Sequence, residues 1–285
     1  MNFGCHEIVG RDRSRSNGGV SFALLILVGL GVGVTTVLFG FGGGFVTVPV
    51  ITLVGTALGG DAVRVATATS ALVMLVNAIV ATAATPRPVL ARLSGRWRLF
   101  ALLALGGAVG AVASRFAPVA LLTWGFVAYV ALTIADLVIR PGFIRPLSGR
   151  AIDDEGSRPG GVPDGFGLPI GTVAAFLGVG GSVMTVPMMR RAGADMHVAA
   201  ALANPLTLVI VLPALIVSLC TSGALPDAQG LVGSVDVVSA LALLLGSIPV
   251  VILLRRRPPR IPDRVHSWTY VALLVAAAAT VAVVG

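Results

Sequence analysis

The stretch GFGGGFVTVPV, Gly40 to Val50, lies in the middle of a strongly apolar chain. Three consecutive glycines and a following proline are poor helix formers. They stand where a bilayer would demand that every backbone hydrogen bond be made within the protein. A second copy shows that the stretch is a deliberate feature. From Gly178 the chain reads GVGGSVMTVPM, so that Gly40, Gly42, Gly43, Thr47, Val48 and Pro49 are matched by Gly178, Gly180, Gly181, Thr185, Val186 and Pro187. The offset is constant (187 − 49 = 138), and about half the chain is repeated.

Composition sets the class. Of 285 residues 56% are hydrophobic and 11% charged, with a mean hydropathy of +0.98. A water-soluble domain has no means of hiding that much apolar surface, so the chain is read as an all-α polytopic protein of the cell membrane, with the lipid bilayer as its first partner. All 20 basic residues are arginine, which fixes the +8 net charge at physiological pH. They are scattered over loops between apolar segments, a pattern that suits membrane orientation and not nucleic-acid binding. Cys5 and Cys220 have neither metal-ligand nor disulfide-framework spacing. Neither a Ser/His/Asp set nor paired intramembrane carboxylates appear, and His6, His197 and His266 are read in loops or the tail. These features argue against an enzyme, and no cofactor is implied.

Apolar segments fall at about 20–39, 44–58, 65–84, 97–115 and 118–139, then at 165–178, 181–191, 198–221, 236–254 and 267–284. A crossing takes about 20 residues. Segments 44–58, 165–178 and 181–191 are shorter and flank the glycine cassettes, so they are read as half-helices or arms of re-entrant hairpins. The resulting organisation is a polar tail (1–19), a first membrane repeat (20–139), a cytoplasmic linker (140–164) and a second membrane repeat (165–285). The tail carries no cleavage-site signal and is not read as a removable leader. Each repeat holds one glycine-broken segment and three transmembrane helices. Equivalent loops differ in charge: Arg87, Arg92 and Arg96 face a counterpart, 222–236, that has only Asp227 and Asp236. Arg255, Arg256, Arg257, Arg260 and Arg264 stand in the loop whose first-half counterpart is short. With arginine-rich loops in the cytoplasm, this is the pattern of inverted repeats. The basic tail Arg11, Arg13 and Arg15 runs against it; a parallel four-plus-four arrangement accommodates the tail but puts the 255–264 cluster outside, and inversion is the favoured reading.

A helix broken near mid-membrane leaves the first N–H groups of the following half-helix unbonded, carrying roughly half a positive charge. Glycines let an anion approach those donors closely. The candidate substrate-binding residues are therefore Gly42, Gly43, Gly44 and Thr47 in the first cassette and Gly180, Gly181, Ser182 and Thr185 in the second. Ser70 and Asn204, matched across the repeats on the next helices, join them. The bland alternative is that the glycines only let helices pack closely. Interhelical hydrogen bonding is the corresponding alternative for Ser70, Asn204 and Thr207, and the favoured one for Asn77.

Two copies of a G-x-G-G-G…P cassette in a small polytopic protein of related halves resemble the TauE/SafE sulfite exporter family, from about Gly29 to Gly285. The positions that carry the resemblance are Gly40, Gly42, Gly43, Gly44 and Pro49, and Gly178, Gly180, Gly181 and Pro187. It implies secondary transport of a small sulfur-containing anion such as sulfite, thiosulfate or an organosulfonate. In the second half Ser182 replaces the third glycine. Asn204-Pro205 stands where the family carries a Thr-Ser pair like Thr69-Ser70. A passive anion channel and a membrane scaffold without transport are the rival readings.

Elsewhere Asp136 and Arg140 are read as an i,i+4 ion pair at the membrane rim. Trp97, Trp268 and Tyr270 are read as interfacial anchors, and Arg190 and Arg191 as a solvated loop, the alternative being that they recruit anions to a vestibule. The inverted arrangement predicts that single cysteines at Ala91 and Ile261, in a background lacking Cys5 and Cys220, resist an impermeant reagent added to intact cells. A cysteine at Gly230 should react. Equal labelling at Ala91 and Gly230 rules the arrangement out.

Overall fold

The computed structural model describes residues 6–44, 62–140, 142–144, 161–220, 231–232 and 235–284. Thr47, segment 44–58 beyond Gly44, and the middle of the linker lie outside these residues. The elements are α1 (His6–Phe39), α2 (Ala62–Ala83), the one-turn α3 (Arg87–Leu90), α4 (Trp97–Phe116), α5 (Val119–Ile139), α6 (Gly167–Leu177), α7 (Ser182–Arg191), α8 (Met196–Cys220), α9 (Val237–Arg256) and α10 (Asp263–Val284). Two-residue strands Leu231–Val232 and Val235–Asp236 pair antiparallel just before α9.

Among the described residues six helices are long and apolar enough to span a bilayer: the Phe22–Phe39 part of α1, then α4, α5, α8, α9 and α10. The chain is an all-α, multi-pass membrane protein. Helix α1 continues back to His6, so the residues expected as a polar tail are helical from that point. Proline is absent between His6 and Phe39, and nothing stops the helix from propagating outward. Helix α10 likewise starts before its apolar run. Asp263 opens its first turn, where a carboxylate suits the positive end of the helix.

The second cassette sits between two short helices, as expected. An added Cβ on Gly161, just ahead of α6, would fall 2.7 Å from Ala192 Cβ and 2.9 Å from Met189 Cα at the end of α7. The α6–break–α7 unit therefore enters and leaves at one end of the molecule. At that end Arg96, heading α4, pairs with Asp164 at 2.7 Å. Arg191 pairs with Asp136 near the end of α5, and Arg190 with Asp263 at the head of α10. The arginine-rich loops 87–98 and 255–264 share this end. At the other, Asp236 N–H donates to Thr69 Oγ1 near the start of α2.

Helix pairing follows one scheme. Helix α1 packs on α9, and α6 on α4; α2 packs on α9, and α8 on α4. The pairs α2·α8 and α5·α10 complete the most extensive contacts, beside which α1 also touches α8 without an equal counterpart between α6 and α2. Exchanging each helix for its repeat mate (α1 for α6, α2 for α8, α4 for α9, α5 for α10) turns the pattern of the most extensive contacts into itself. Close approach is allowed by glycine. An added Cβ would overlap Leu243 O at Gly29, Ile26 O at Gly246, Leu103 O at Gly171 and Thr172 O at Gly110. These backbones touch because no side chain intervenes, the usual means of helix association in lipid.

Gly110→Val should therefore force α4 and α6 apart and cost about 1–3 kcal/mol through overpacking. Gly31→Ala is the control, because an added Cβ there meets nothing within 4 Å. The check is thermal unfolding in detergent: a marked drop for the first variant and no drop for the second.

Candidate functional site

Local geometry explains the cassette. Gly178 ends α6 in the left-handed region (φ 69°), its N–H donating to Ala174 O or Ala175 O, and Gly180 is left-handed as well (φ 71°). Their repeat mates Gly40 (φ 73°) and Gly42 (φ 63°) adopt the same conformation, which L side chains resist. The copies part at the next position. Gly43 is left-handed (φ 103°), whereas Gly181 is right-handed (φ −81°) and caps α7. Side-chain space and not backbone strain thus limits position 181, where an added Cβ would run into Ile210 Cδ1. Gly44 is limited similarly, by the thioether of Met74.

The two cassettes meet. An added Cβ on Gly42 would lie 3.3 Å from Thr207 Cγ2 and 3.6 Å from Met74 Cβ. One on Gly180 would lie 3.1 Å from the same Thr207 atom and 3.5 Å from Met74 Sδ. Met74 of α2 and Thr207 of α8 are thus the floor shared by both breaks. No motif marked Met74. Thr207 stood one helical turn beyond Asn204, the only signal available for it.

Around this point are polar side chains sealed from solvent and without partners among the described residues. Ser70, Asn77, Ser182, Thr185, Asn204 and Thr207 are all fully buried. The hydroxyls of Ser70, Ser182, Thr185 and Thr207 make no hydrogen bond, nor do Asn204 Oδ1 and Asn77 Nδ2. Asn204 Nδ2 donates to Ala200 O one turn back, and Asn77 Oδ1 accepts from Ser247 Oγ at 2.9 Å. The interhelical bond expected for Asn77 is present, yet it uses half of the amide. An unpartnered buried polar group costs about 1–3 kcal/mol.

Helix α7 presents its N-terminus to this floor. Its first internal bonds run from Met184 and Thr185 N–H to Gly181 O, so the preceding amides lie ahead of the helical ladder. Pro187 sits inside α7, and lacking an N–H it leaves the carbonyl four residues back, on Val183, without its helical donor. The Tyr270 hydroxyl stands 3.4 Å from Val183 O and 3.4 Å from Ser182 O.

Three expectations are corrected here. Tyr270 is wholly enclosed among Phe39, Phe41 and Phe143, and Phe41 stacks on it at 5.1 Å, so it is not an interfacial anchor. Trp97 and Trp268 are exposed, as such anchors should be. His197 lies on α8 and His266 on α10, its Nε2 against Leu38 O at the end of α1, so neither is in a loop. Arg190 is fully buried and Arg191 partly so, because carboxylates on neighbouring helices take them up. Asp136 keeps its rim pair with Arg140 at 3.2 Å and adds Arg191 at 2.6 Å.

Paired glycine-broken segments meeting among buried hydroxyl and amide groups, within a bundle of membrane-spanning helices, define a multi-pass membrane protein of the transport type. Residues 25–281 match the family model described as Sulfite exporter TauE/SafE, and the chain belongs to that family. Neither the curated proteins nor the solved structures compared with it gave a match.

Because Thr185 and Thr207 each bury an unpaired hydroxyl, Thr185→Val and Thr207→Val should raise the thermal midpoint of the anion-free protein. The gain should not exceed about 1–3 kcal/mol each. Scanning fluorimetry in detergent checks it; a lowered midpoint in both means that the hydroxyls are paired in solution.

Proposed function

We propose that the protein is a secondary transporter that carries a small sulfur oxyanion, of the sulfite, thiosulfate or organosulfonate class, across the cell membrane. The anion is held where the two cassettes meet, by freed N–H groups at the starts of the half-helices and by the neighbouring hydroxyls and amides. The observation that carries this reading is the set of fully buried, unpartnered polar side chains around Met74 and Thr207. Polar groups are not normally left in that state, and groups kept unpaired at a stability cost are what a ligand site requires. Neutral donors suit a carrier, because each contributes modestly and the anion must also be released.

The residues in this role are Gly42, Gly43, Gly44, Thr47 and Ser70 from the first half. Gly180, Gly181, Ser182, Thr185 and Asn204 serve from the second. Glycine gives access at the tight positions, and the side chains complete the shell. The movement that exposes the anion alternately to each side is a rocking of two inverted repeats. That arrangement is supported by the pairing scheme that exchange of repeat mates leaves unchanged, and by the common end of the two arginine-rich loops. The positive-inside rule puts that end in the cytoplasm.

The test is sulfite affinity of purified protein by calorimetry, with saturable flux in proteoliposomes beside it. Wild type should bind and transport. Thr185→Val, losing about 1 kcal/mol of neutral hydrogen bonding, should bind about fivefold more weakly, although it unfolds at a higher temperature. Gly43→Val should lose binding while still purifying as a monodisperse protein. Unchanged affinity in both variants places the anion elsewhere and leaves the glycines a packing role. Flux that never saturates favours a passive channel, and its absence with any of these anions a scaffold.

A further inference from the structure

Arg190 ends the half-helix α7 whose start faces the cassettes, and its guanidinium is closed off from solvent. It donates to the main-chain oxygens of Phe143 and Ala194 and to Ser267 Oγ. It also grips Asp263 with two parallel bonds, Nη1 to Oδ1 at 3.1 Å and Nη2 to Oδ2 at 2.7 Å. The Asp263 side chain is 34% exposed whereas that of Arg190 is 0% exposed. One member of the pair faces the water and the other faces the protein.

Asp263, Ser267 and Tyr270 are spaced i, i+4, i+7 and share one face of α10. At its outer end this face holds Arg190; at its inner end the Tyr270 hydroxyl reaches the carbonyls of Ser182 and Val183 beside the cassettes. Helices α7 and α10 therefore run alongside one another in opposite directions. From Ser182 to Arg190 is eight residues, about 12 Å of helix. The line between them leads from the cassette site to the arginine-rich end of the molecule.

A guanidinium fork receives the paired oxygens of a carboxylate, and a sulfur oxyanion presents paired oxygens to the same fork. Asp263 thus occupies the place that a transported anion would take. Nor does the repeat itself require this arrangement, since the position matching Arg190 in the first half (190 − 138 = 52) is Thr52. In the sequence the cassette is duplicated and this arginine is not.

We propose that Arg190 is a second anion station on the cytoplasmic side of the cassettes, which a sulfur oxyanion reaches by displacing the Asp263 carboxylate. Displacement frees the head of α10 from α7, so the same exchange that receives the anion parts the two helices lining its path. Direction of travel does not matter to the step, because the carboxylate returns when the anion leaves. This rests on the reading of the cassettes as an anion site farther in.

The test uses purified full-length protein and sulfite as the probe, measured by calorimetry. Asp263→Asn removes the competing charge and should bind sulfite about tenfold more tightly than wild type, the effect of one charge-assisted contact made available. Adding Arg190→Gln to that variant should remove the gain. Asp263→Ser, which keeps an acceptor for Met196 N–H, serves if Asp263→Asn does not fold. A second readout is labelling of Ser182→Cys, in the background lacking Cys5 and Cys220, by an anionic thiol reagent at the cytoplasmic face. It should quicken several-fold in Asp263→Asn. A folded Asp263 variant with wild-type sulfite affinity overturns the station, as does a gain that survives Arg190→Gln. A wild type that binds no sulfite, beside an Asp263→Asn protein that binds it through Arg190, counts against the cassette reading and keeps the station; no binding in either protein overturns the station.

Discussion

The structure depends on the requirement that backbone N–H and C=O groups inside a bilayer be paired within the protein. Breaking a helix in that medium exposes several such groups at once, each costing on the order of kcal/mol if left in hydrocarbon. The break is tolerated only when other helices enclose it. Here α2 and α8 supply that enclosure, with Met74 and Thr207 lying against both glycine turns. The surrounding helices then have to come close enough to seal the breaks. Glycines at 29, 110, 171 and 246 meet that demand by letting backbones touch. The many glycines thus divide into those that turn the chain and those that let it pack.

Stability and function pull in opposite directions at the centre of the molecule. Ser70, Ser182, Thr185 and Thr207 carry hydroxyls that nothing among the described residues satisfies, although local helical carbonyls are within reach of such side chains elsewhere. Thr36 and Thr85, for instance, donate to the carbonyls four residues back. Two arginines towards the arginine-rich end show the opposite. Arg190 is surrounded by acceptors, and Arg96 donates to both Asp164 and Val162 O. That end of the molecule is fastened by charge, and the middle is held by shape.

By itself the sequence determined the class, the helix positions and the duplicated cassette. Hydrophobic run length, glycine and proline are local signals, and a bilayer allows few structures that satisfy them. Runs of about 20 apolar residues became helices α4, α5, α8, α9 and α10, and the short runs became the arms on either side of the second break. Ser182, Thr185 and Asn204 were nominated by their places in the repeat and their polar side chains, and the structure finds all three buried with an oxygen unpartnered among the described residues. What only the tertiary structure decided were contacts between residues far apart in the chain. Arg190 read as a loop residue until α10 brought Asp263 and Ser267 to it, 73 and 77 positions later. Tyr270 read as an interfacial anchor until three phenylalanines closed around it. Charge and aromaticity suit either the membrane boundary or the interior, and the choice depends on which helices surround the residue. That is set by the pairing of the two halves, for which no short stretch of sequence carries a signal.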